Sequence, residues 1–108
     1  MKTYKVLISE NAKIDLLGIY RYISVDLMQL VSAKRLIHKI LNAIGSLDLF
    51  PNRHTLYHGE AWKSKGLRFF NVANYLVFYV VDEEQKNVKV MRILYAKRDI
   101  ETALNRRA

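Results

Sequence analysis

The chain of 108 residues contains no cysteine, and this absence excludes several kinds of chemistry. Without cysteine there is no thiol nucleophile, no disulfide bridge and no cysteine-ligated zinc. Four scattered glycines are too few for a glycine-rich loop that would cradle a phosphate. No run approaches the roughly 18–20 uninterrupted apolar residues that span a bilayer. We therefore expect a soluble, cytoplasmic protein without a membrane partner.

Acidic residues are also few, and the positive charge is unevenly spread along the chain. Eighteen Lys and Arg stand against ten Asp and Glu, which gives a formal net charge of +8. The last 23 residues carry seven Lys and Arg against two acidic residues, so most of the excess lies there. Such clustering favours an acidic or polyanionic partner, such as nucleic acid, the ribosome or an acidic protein segment.

The pattern of apolar residues predicts one α+β domain over residues 1–108. Residues 3–9 alternate like a short strand, and apolar spacings of three and four then predict two amphipathic helices that end before Pro51. Three apolar runs follow, "LRFFNV", "NYLVFYVV" and "VKVMRILY", and turn-like breaks separate them. A short helix over "KRDIETALNRRA" closes the order β-α-α-β-β-β-α. We expect an N-terminal helical hairpin packed on a mostly antiparallel four-stranded sheet, with a short C-terminal helix.

The three histidines do not predict a metal site. His54 and His58 are four residues apart in an expected loop, where that spacing does not align them as it would on a helix. His38 lies on the polar side of the second helix, and no H-E-x-x-H arrangement is present. No G-x-S-x-G motif marks a serine nucleophile. We expect neither a metal nor a cofactor.

Basic and aromatic residues in the second half of the chain are the remaining candidates for function. Arginine and lysine suit contacts with phosphates, and tyrosine can stack on a base or move a proton. The predicted contact surface for a target or partner protein consists of Lys63, Lys65, Arg68, Arg92, Tyr95, Lys97 and Arg98.

Arg92 is unusual because it is a charged residue within an apolar strand. A buried arginine needs a partner, so Arg92 either lines an open face or forms an ion pair. The candidate ion-pair partners are Asp15, Asp48 and Glu101. Simple alternation along the strand places Arg92 and Leu94 on one face. The residues expected on the opposite face are Met91, Ile93 and Tyr95.

The whole pattern resembles the RelE/ParE superfamily of type II toxin–antitoxin toxins. The resemblance rests on the element order, on "GLRFFNVANYLVFYVV" and "VMRILYAKRDIETAL", and on "AKIDLLGIYRYI" over residues 12–23. It implies a small basic toxin, encoded beside an antitoxin that wraps and neutralises it through an acidic or amphipathic tail. The match is closer to the ParE branch, which includes plasmid stabilisation proteins.

The residues distinguish the two activities of this superfamily. RelE-like members cut mRNA in the ribosome and carry lysines at alternate positions of one strand, where this chain has Leu67 and Phe69. The arginine after the "GY" tyrosine is replaced here by Leu76, and a C-terminal tyrosine is replaced by Leu104. Of that set, Arg98 is retained.

The resemblance therefore favours a ParE-like toxin, which inhibits DNA gyrase and is not a nuclease. Two alternatives stay open, a ribosome-dependent mRNA endonuclease and a degenerate, non-toxic member. In the endonuclease, Tyr95 would replace a base or acid beside Arg68, Arg92 and Arg98. Other ribosomal branches use a glutamate with histidines, for which Glu60, His54 and His58 are candidates.

Overall fold

The computed structural model describes residues 3–59, 62 and 64–105. Within these residues the strands are β1 (Lys5–Ile8), β2 (Thr55–Leu56), β3 (Arg68–Val72), β4 (Tyr75–Asp82) and β5 (Asn87–Tyr95). The α-helices are α1 (Glu10–Arg21), α2 (Leu30–Gly45) and α3 (Ile100–Asn105). A π-helical segment, Tyr22–Asp26, continues α1 toward the turn before α2.

The described strands form one sheet in the order β1-β5-β4-β3-β2. β1 runs parallel to β5, and the other neighbours are antiparallel. The predicted α+β architecture is confirmed, but the sheet has five strands and not four. The fifth is β2, whose two residues pair with Phe69 and Arg68 of β3.

Helices cover the sheet on both faces, as the continuous hydrophobicity of β4 requires. The α1–α2 hairpin packs on one face against Val77, Tyr79 and Ile93. α3 packs on the opposite face through Ala103 and Leu104, against a cluster of Leu67, Phe78 and Leu94.

The helix starts have ordinary local causes. Ser9 caps α1, because its Oγ accepts a hydrogen bond of 3.1 Å from the backbone N–H of Ala12. Asp99 precedes α3 and accepts hydrogen bonds from the backbone N–H and the hydroxyl of Thr102. The segment after β5 is therefore a strand-to-helix junction with a conventional cap.

A β-bulge changes which face each residue of β5 presents. Phe78 pairs with Arg92 but Tyr79 pairs with Val90, so Met91 is the extra residue. Met91 consequently packs with the Leu94 cluster, while Ile93 packs on the hairpin side. The expectation that Met91 and Ile93 share a face is wrong, because simple alternation does not hold across a bulge.

Candidate functional site

β5 is longer than the strand beside it, which leaves part of its edge uncovered. β1 pairs with β5 from Lys5–Asn87 to Ile8–Val90, and the chain then turns at Ser9 into α1. The rest of β5, as far as Tyr95, has no strand on that side in the described residues. Side chains bond part of this edge: the Ser9 hydroxyl donates to Met91 O at 2.9 Å, and Ile93 N donates to an Asp15 carboxylate oxygen at 2.9 Å.

Asp15 also binds Arg92, the charged residue of the apolar strand. Arg92 Nε lies 2.8 Å from Asp15 Oδ2, and Arg92 Nη2 lies 3.0 Å from Oδ1, which makes a bidentate pair. Arg92 Nη1 donates to Ala103 O at 2.9 Å. The two side chains are only 16% and 11% exposed. The hydrogen bonds that Arg92 donates to the Asp15 carboxylate raise the pKa of Arg92, so the guanidinium stays charged. Of the alternatives that the sequence left open, the structure shows an ion pair with Asp15, and this pair, with the bond to Ala103 O, ties α1, β5 and α3 together.

A groove of about 650 Å³ lies between α1 and the uncovered part of β5. We call it the edge groove. Its α1 side includes Ile14, Gly18 and Ile19, and its β5 side includes Ile93, Leu94 and Tyr95. Gly18 opens the wall, because a Cβ at this position would meet no atom within 4 Å. The groove is thus mainly apolar, with uncovered strand backbone along one side.

Three tyrosines and one arginine stand around the edge groove. Tyr22, Tyr75, Tyr95 and Arg98 all line it, and the rings of Tyr75 and Tyr95 meet edge to face at 5.7 Å. Burial raises the pKa of Tyr75, and the neighbouring Tyr95 and Tyr22 raise it further. The Tyr75 hydroxyl therefore remains protonated near neutral pH, so it can donate a hydrogen bond but is a poor general base.

Arg98 and Lys97 supply the positive charge at this end of the sheet. Both side chains are exposed, and the backbone N–H of Arg98 donates to Tyr95 O at 3.0 Å. Among the carboxylates of the described residues, none lies within ion-pair distance of either cation. Tyr95, Lys97 and Arg98 thus form one basic corner that is free to meet an anion.

Arg68 lies far from this corner. It pairs in register with Tyr79, four residues along the ladder from the Val72–Tyr75 pair next to Tyr95. At about 3.3 Å per residue, the separation along the strands is about 13 Å. Arg68 Nη1 donates to His54 O at 2.7 Å, so this guanidinium is engaged by β2 and the turn before it.

Lys65 stands over the ring of Trp62 at 4.9 Å in a cation–π contact. Lys63 lies outside the described residues. The predicted surface is therefore not one cluster. The structure brings together Tyr95, Lys97 and Arg98, binds Arg92 to Asp15, and places Arg68 about 13 Å away along the strands.

A model of one protein family matches most of the chain. The family is described as the ParE toxin of the type II toxin–antitoxin system parDE, and the match runs over residues 6–100. The chain belongs to the ParE toxin family.

Several solved structures have the same fold as this ParE-family chain. The chromosomal ParDE toxin–antitoxin system from P. aeruginosa superposes with a TM-score of 0.72 at 18% identity, covering 88% of this chain and 98% of that one. The RelBE2 toxin–antitoxin complex from Mycobacterium tuberculosis has a TM-score of 0.66 at 21% identity, covering 90% and 97%. The archaeal RelE–RelB complex from Pyrococcus horikoshii has a TM-score of 0.64 at 18% identity, and the match covers 89% of this chain and 98% of that one. No curated protein matches the sequence.

Of the three candidate residues for a histidine-based site, the structure describes His54 and His58. His54 stacks on Phe70 with ring centroids 4.5 Å apart, and burial lowers its pKa, helped by the charge of Arg53. His58 is exposed, and Glu60 lies outside the described residues. In the part of the chain that the structure describes, no three His, Asp or Glu side chains group closely enough to hold a metal ion. No described helix is long and apolar enough to cross a membrane.

Sequence reasoning missed several residues of the groove. Gly18, Tyr22 and Tyr75 were not predicted as site residues, because each belongs to an ordinary helical or strand pattern. A glycine in the middle of an amphipathic helix is the one signal that could have pointed here, since glycine lowers helix stability unless its small size is needed.

Proposed function

We propose that this ParE-family chain is the toxin of a type II toxin–antitoxin pair and that it inhibits DNA gyrase without cutting RNA. The observation that carries this proposal is the dispersal of the cations that a nuclease would need. Arg92 is bound to Asp15, and Arg68 is about 13 Å from the Tyr95 row along the strands.

RNA cleavage by attack of the 2′-hydroxyl requires several cations around one phosphate. Each preorganised charge stabiliser raises the rate by a factor of about 10²–10³, so the loss of several lowers the rate by the product of these factors. Of the four residues predicted for a nuclease, Tyr95 and Arg98 line the edge groove, and Arg68 and Arg92 do not. That arrangement suits a binding surface better than a phosphoryl-transfer centre.

The proposed partner of the chain is a cognate antitoxin with an acidic or amphipathic tail. The fold neighbours include a ParDE system and a RelBE2 complex, which their own descriptions call toxin–antitoxin assemblies, and a RelE–RelB complex. The proposed contact surface is the basic corner, with Lys65 and Arg68 as further candidate cations; Lys63 is a candidate from the sequence alone. A role in plasmid stabilisation and action in the cytoplasm would follow from this assignment.

Two assays with purified protein test the target. We expect the chain to inhibit supercoiling by DNA gyrase and to leave ribosome-programmed mRNA intact. Arg98→Ala should weaken the inhibition, whereas Arg35→Ala, an exposed cation on α2, should not. Cleavage of the message without inhibition of gyrase would overturn the proposal.

A ribosome-dependent mRNA endonuclease is the second candidate, and the pairing of Tyr95 with Arg98 in one groove favours it. If this candidate is correct, mRNA cleavage appears and Tyr95→Phe, which keeps the ring but removes the proton, abolishes it. Inactivity in both assays would instead identify a degenerate member. The absence of a small antitoxin gene beside the reading frame would weaken the antitoxin assignment.

A further inference from the structure

The solvent side of α2 carries cations and no carboxylate. The helix has the sequence LVSAKRLIHKILNAIG, in which Lys34, Arg35 and Lys39 are basic and no residue is acidic. All three cations are exposed and lie away from the buried Ala33 and Ile40. Among the described residues, no carboxylate lies within ion-pair distance of any of them. We call these three residues the α2 basic face.

The stability of the helix does not explain where these charges stand. In α1 the charges suit the helix dipole, because Glu10 lies in the first turn and Arg21 in the last. α2 has neither an acidic first turn nor a basic last turn. Arg35 and Lys39 are instead four residues apart, a spacing at which like charges repel each other and destabilise a helix. An anionic partner would relieve this repulsion.

Arg53 extends the α2 basic face at the C-terminal end of the helix. Its Nη2 lies 2.9 Å from Ser46 Oγ, and its Nη1 lies 2.6 Å from Leu49 O. These bonds fix an exposed guanidinium at the point where α2 ends. From Lys34 to Ser46 the helix rises about 18 Å, which corresponds to about five base pairs of DNA at about 3.4 Å each. The cations therefore follow a straight line with the length of a short duplex segment.

Among polyanions, duplex DNA suits this face best. A single strand is held by stacking of its bases on aromatic side chains, and α2 has no Phe, Tyr or Trp. The major groove of duplex RNA is too narrow for protein side chains to read, whereas that of DNA is about 12 Å wide and admits an α-helix. The carboxylates closest to α2 in sequence, Asp26 and Asp48, precede and follow the helix, so α2 itself presents no anion to repel a phosphate.

We propose that the α2 basic face, together with Arg53, binds the phosphate backbone of duplex DNA. Contacts from Lys and Arg to phosphates carry no sequence information, so binding does not depend on the base sequence. Four cations give weak binding that salt suppresses, in the range of non-specific DNA binding. The proposal does not rest on the proposed function, because it uses only the charges, the exposure and the bonds of α2 and Arg53.

Fluorescence anisotropy of the free chain with a labelled duplex of about 20 base pairs tests the proposal. Four phosphate contacts predict a slope of log K against log salt concentration of about −3 to −4. The affinity should therefore fall about a hundredfold between about 50 and 200 mM KCl. In the isotope-labelled chain, the duplex should shift the amide signals of residues 34–39 and leave those of residues 95–98 in place.

A triple variant removes the α2 basic face. Lys34→Gln, Arg35→Gln and Lys39→Gln together leave Arg53 as the single cation of the proposed surface. We expect them to weaken binding at about 50 mM KCl by about tenfold or more and to reduce the slope to about −1. Glutamine has nearly the helix propensity of lysine and arginine, so the fold should survive, which thermal unfolding checks.

A second triple variant is the matched control. Lys89→Gln, Lys97→Gln and Arg98→Gln remove the same number of charges from exposed positions outside α2, and binding should stay within about threefold. Equal loss of binding in the two triple variants would overturn the proposal, since net charge and not the α2 basic face would then attract the DNA. So would the absence of binding at about 50 mM KCl, or binding of single-stranded DNA or duplex RNA as tight as that of duplex DNA.

The gyrase assay is independent of this outcome, because the surface proposed for that target is the basic corner. A chain that binds DNA through α2 but does not inhibit gyrase keeps the α2 basic face and loses the proposed target. A chain that inhibits gyrase but shows the same DNA affinity in both triple variants keeps the target and loses the α2 basic face.

Discussion

Asp15 replaces, with one side chain, the strand that β5 lacks at this point. Its carboxylate accepts the N–H of Ile93 as a neighbouring strand would, and it holds Arg92 in a bidentate contact. A buried guanidinium costs free energy unless it is paired and fully hydrogen-bonded. Asp15 and Ala103 O meet that need, so Arg92 can stand in an otherwise apolar strand.

Removal of Asp15 should therefore be far more costly than an ordinary surface change. Asp15→Ala leaves Arg92 unpaired and Ile93 N–H unbonded, and we expect it to lower the free energy of unfolding by about 3–5 kcal/mol. Urea unfolding measures this loss. Asp26→Ala, the same change at an exposed position, should stay within about 0.5 kcal/mol. Equal effects of the two substitutions would show that the Asp15–Arg92 pair does not stabilise the fold.

His54 makes stability depend on pH. Burial against Phe70 lowers the pKa of His54 from its ordinary 6.5, so the unfolded chain binds the proton more readily. Stability is fully present above about pH 6.5 and falls as the pH drops from there toward the lowered pKa. We expect unfolding free energies measured across this window to show the slope, and His54→Asn to flatten it. His58→Asn, an exposed change in the same loop, should keep it; a slope unchanged in His54→Asn contradicts the assignment.

At the scale of elements, the sequence predicted those helices and strands that have a periodic pattern of apolar residues. Both long helices, the three apolar strands and the last short helix were found, because each repeats its pattern over several residues. β2 was missed because two residues show no period. The bulge at Met91 was missed because it depends on pairing with β4 and not on local sequence.

The edge groove could not be predicted for a related reason. It exists because β1 stops at Ile8 while β5 continues to Tyr95, and that difference is fixed by the register between two strands distant in sequence. The candidate cations could be identified from residue type, but the distances between them depend on the positions of the strands in the sheet. Arg98, for example, follows the end of β5, whereas Arg68 lies opposite Tyr79 in the middle of β4.

Two glycines differ in what their backbone conformation requires. Gly18 lies within α1 with free space around its Cβ position, so Gly18→Ala should stabilise the fold by about 1 kcal/mol through helix propensity. Gly66 has φ +68°, and Gly66→Ala should cost about 1–2 kcal/mol because left-handed backbone disfavours a Cβ. Thermal or urea unfolding gives both values. Destabilisation by Gly18→Ala would mean that α1 packs more tightly than described.

At the scale of the whole molecule, the net charge of +8 concentrates an acidic partner near the chain before contact. The positions of the charges then decide where docking occurs. Lys97 and Arg98 stand at the open end of the edge groove, whereas Lys34 and Arg35 are exposed on α2. These two pairs carry the same number of charges at different places. Variants of each can therefore separate the effect of charge position on association from the effect of net charge.

Reversal of the first pair should slow association with the antitoxin proposed as the partner. We expect Lys97→Glu with Arg98→Glu to lower the association rate about tenfold or more at about 50 mM salt, and much less at about 500 mM, where screening is strong. Lys34→Glu with Arg35→Glu changes the net charge equally and should have a clearly smaller effect. Stopped-flow mixing measures both rates. If the two double variants slow association alike, net charge alone steers the partner, and the basic corner is not the place where the antitoxin first docks.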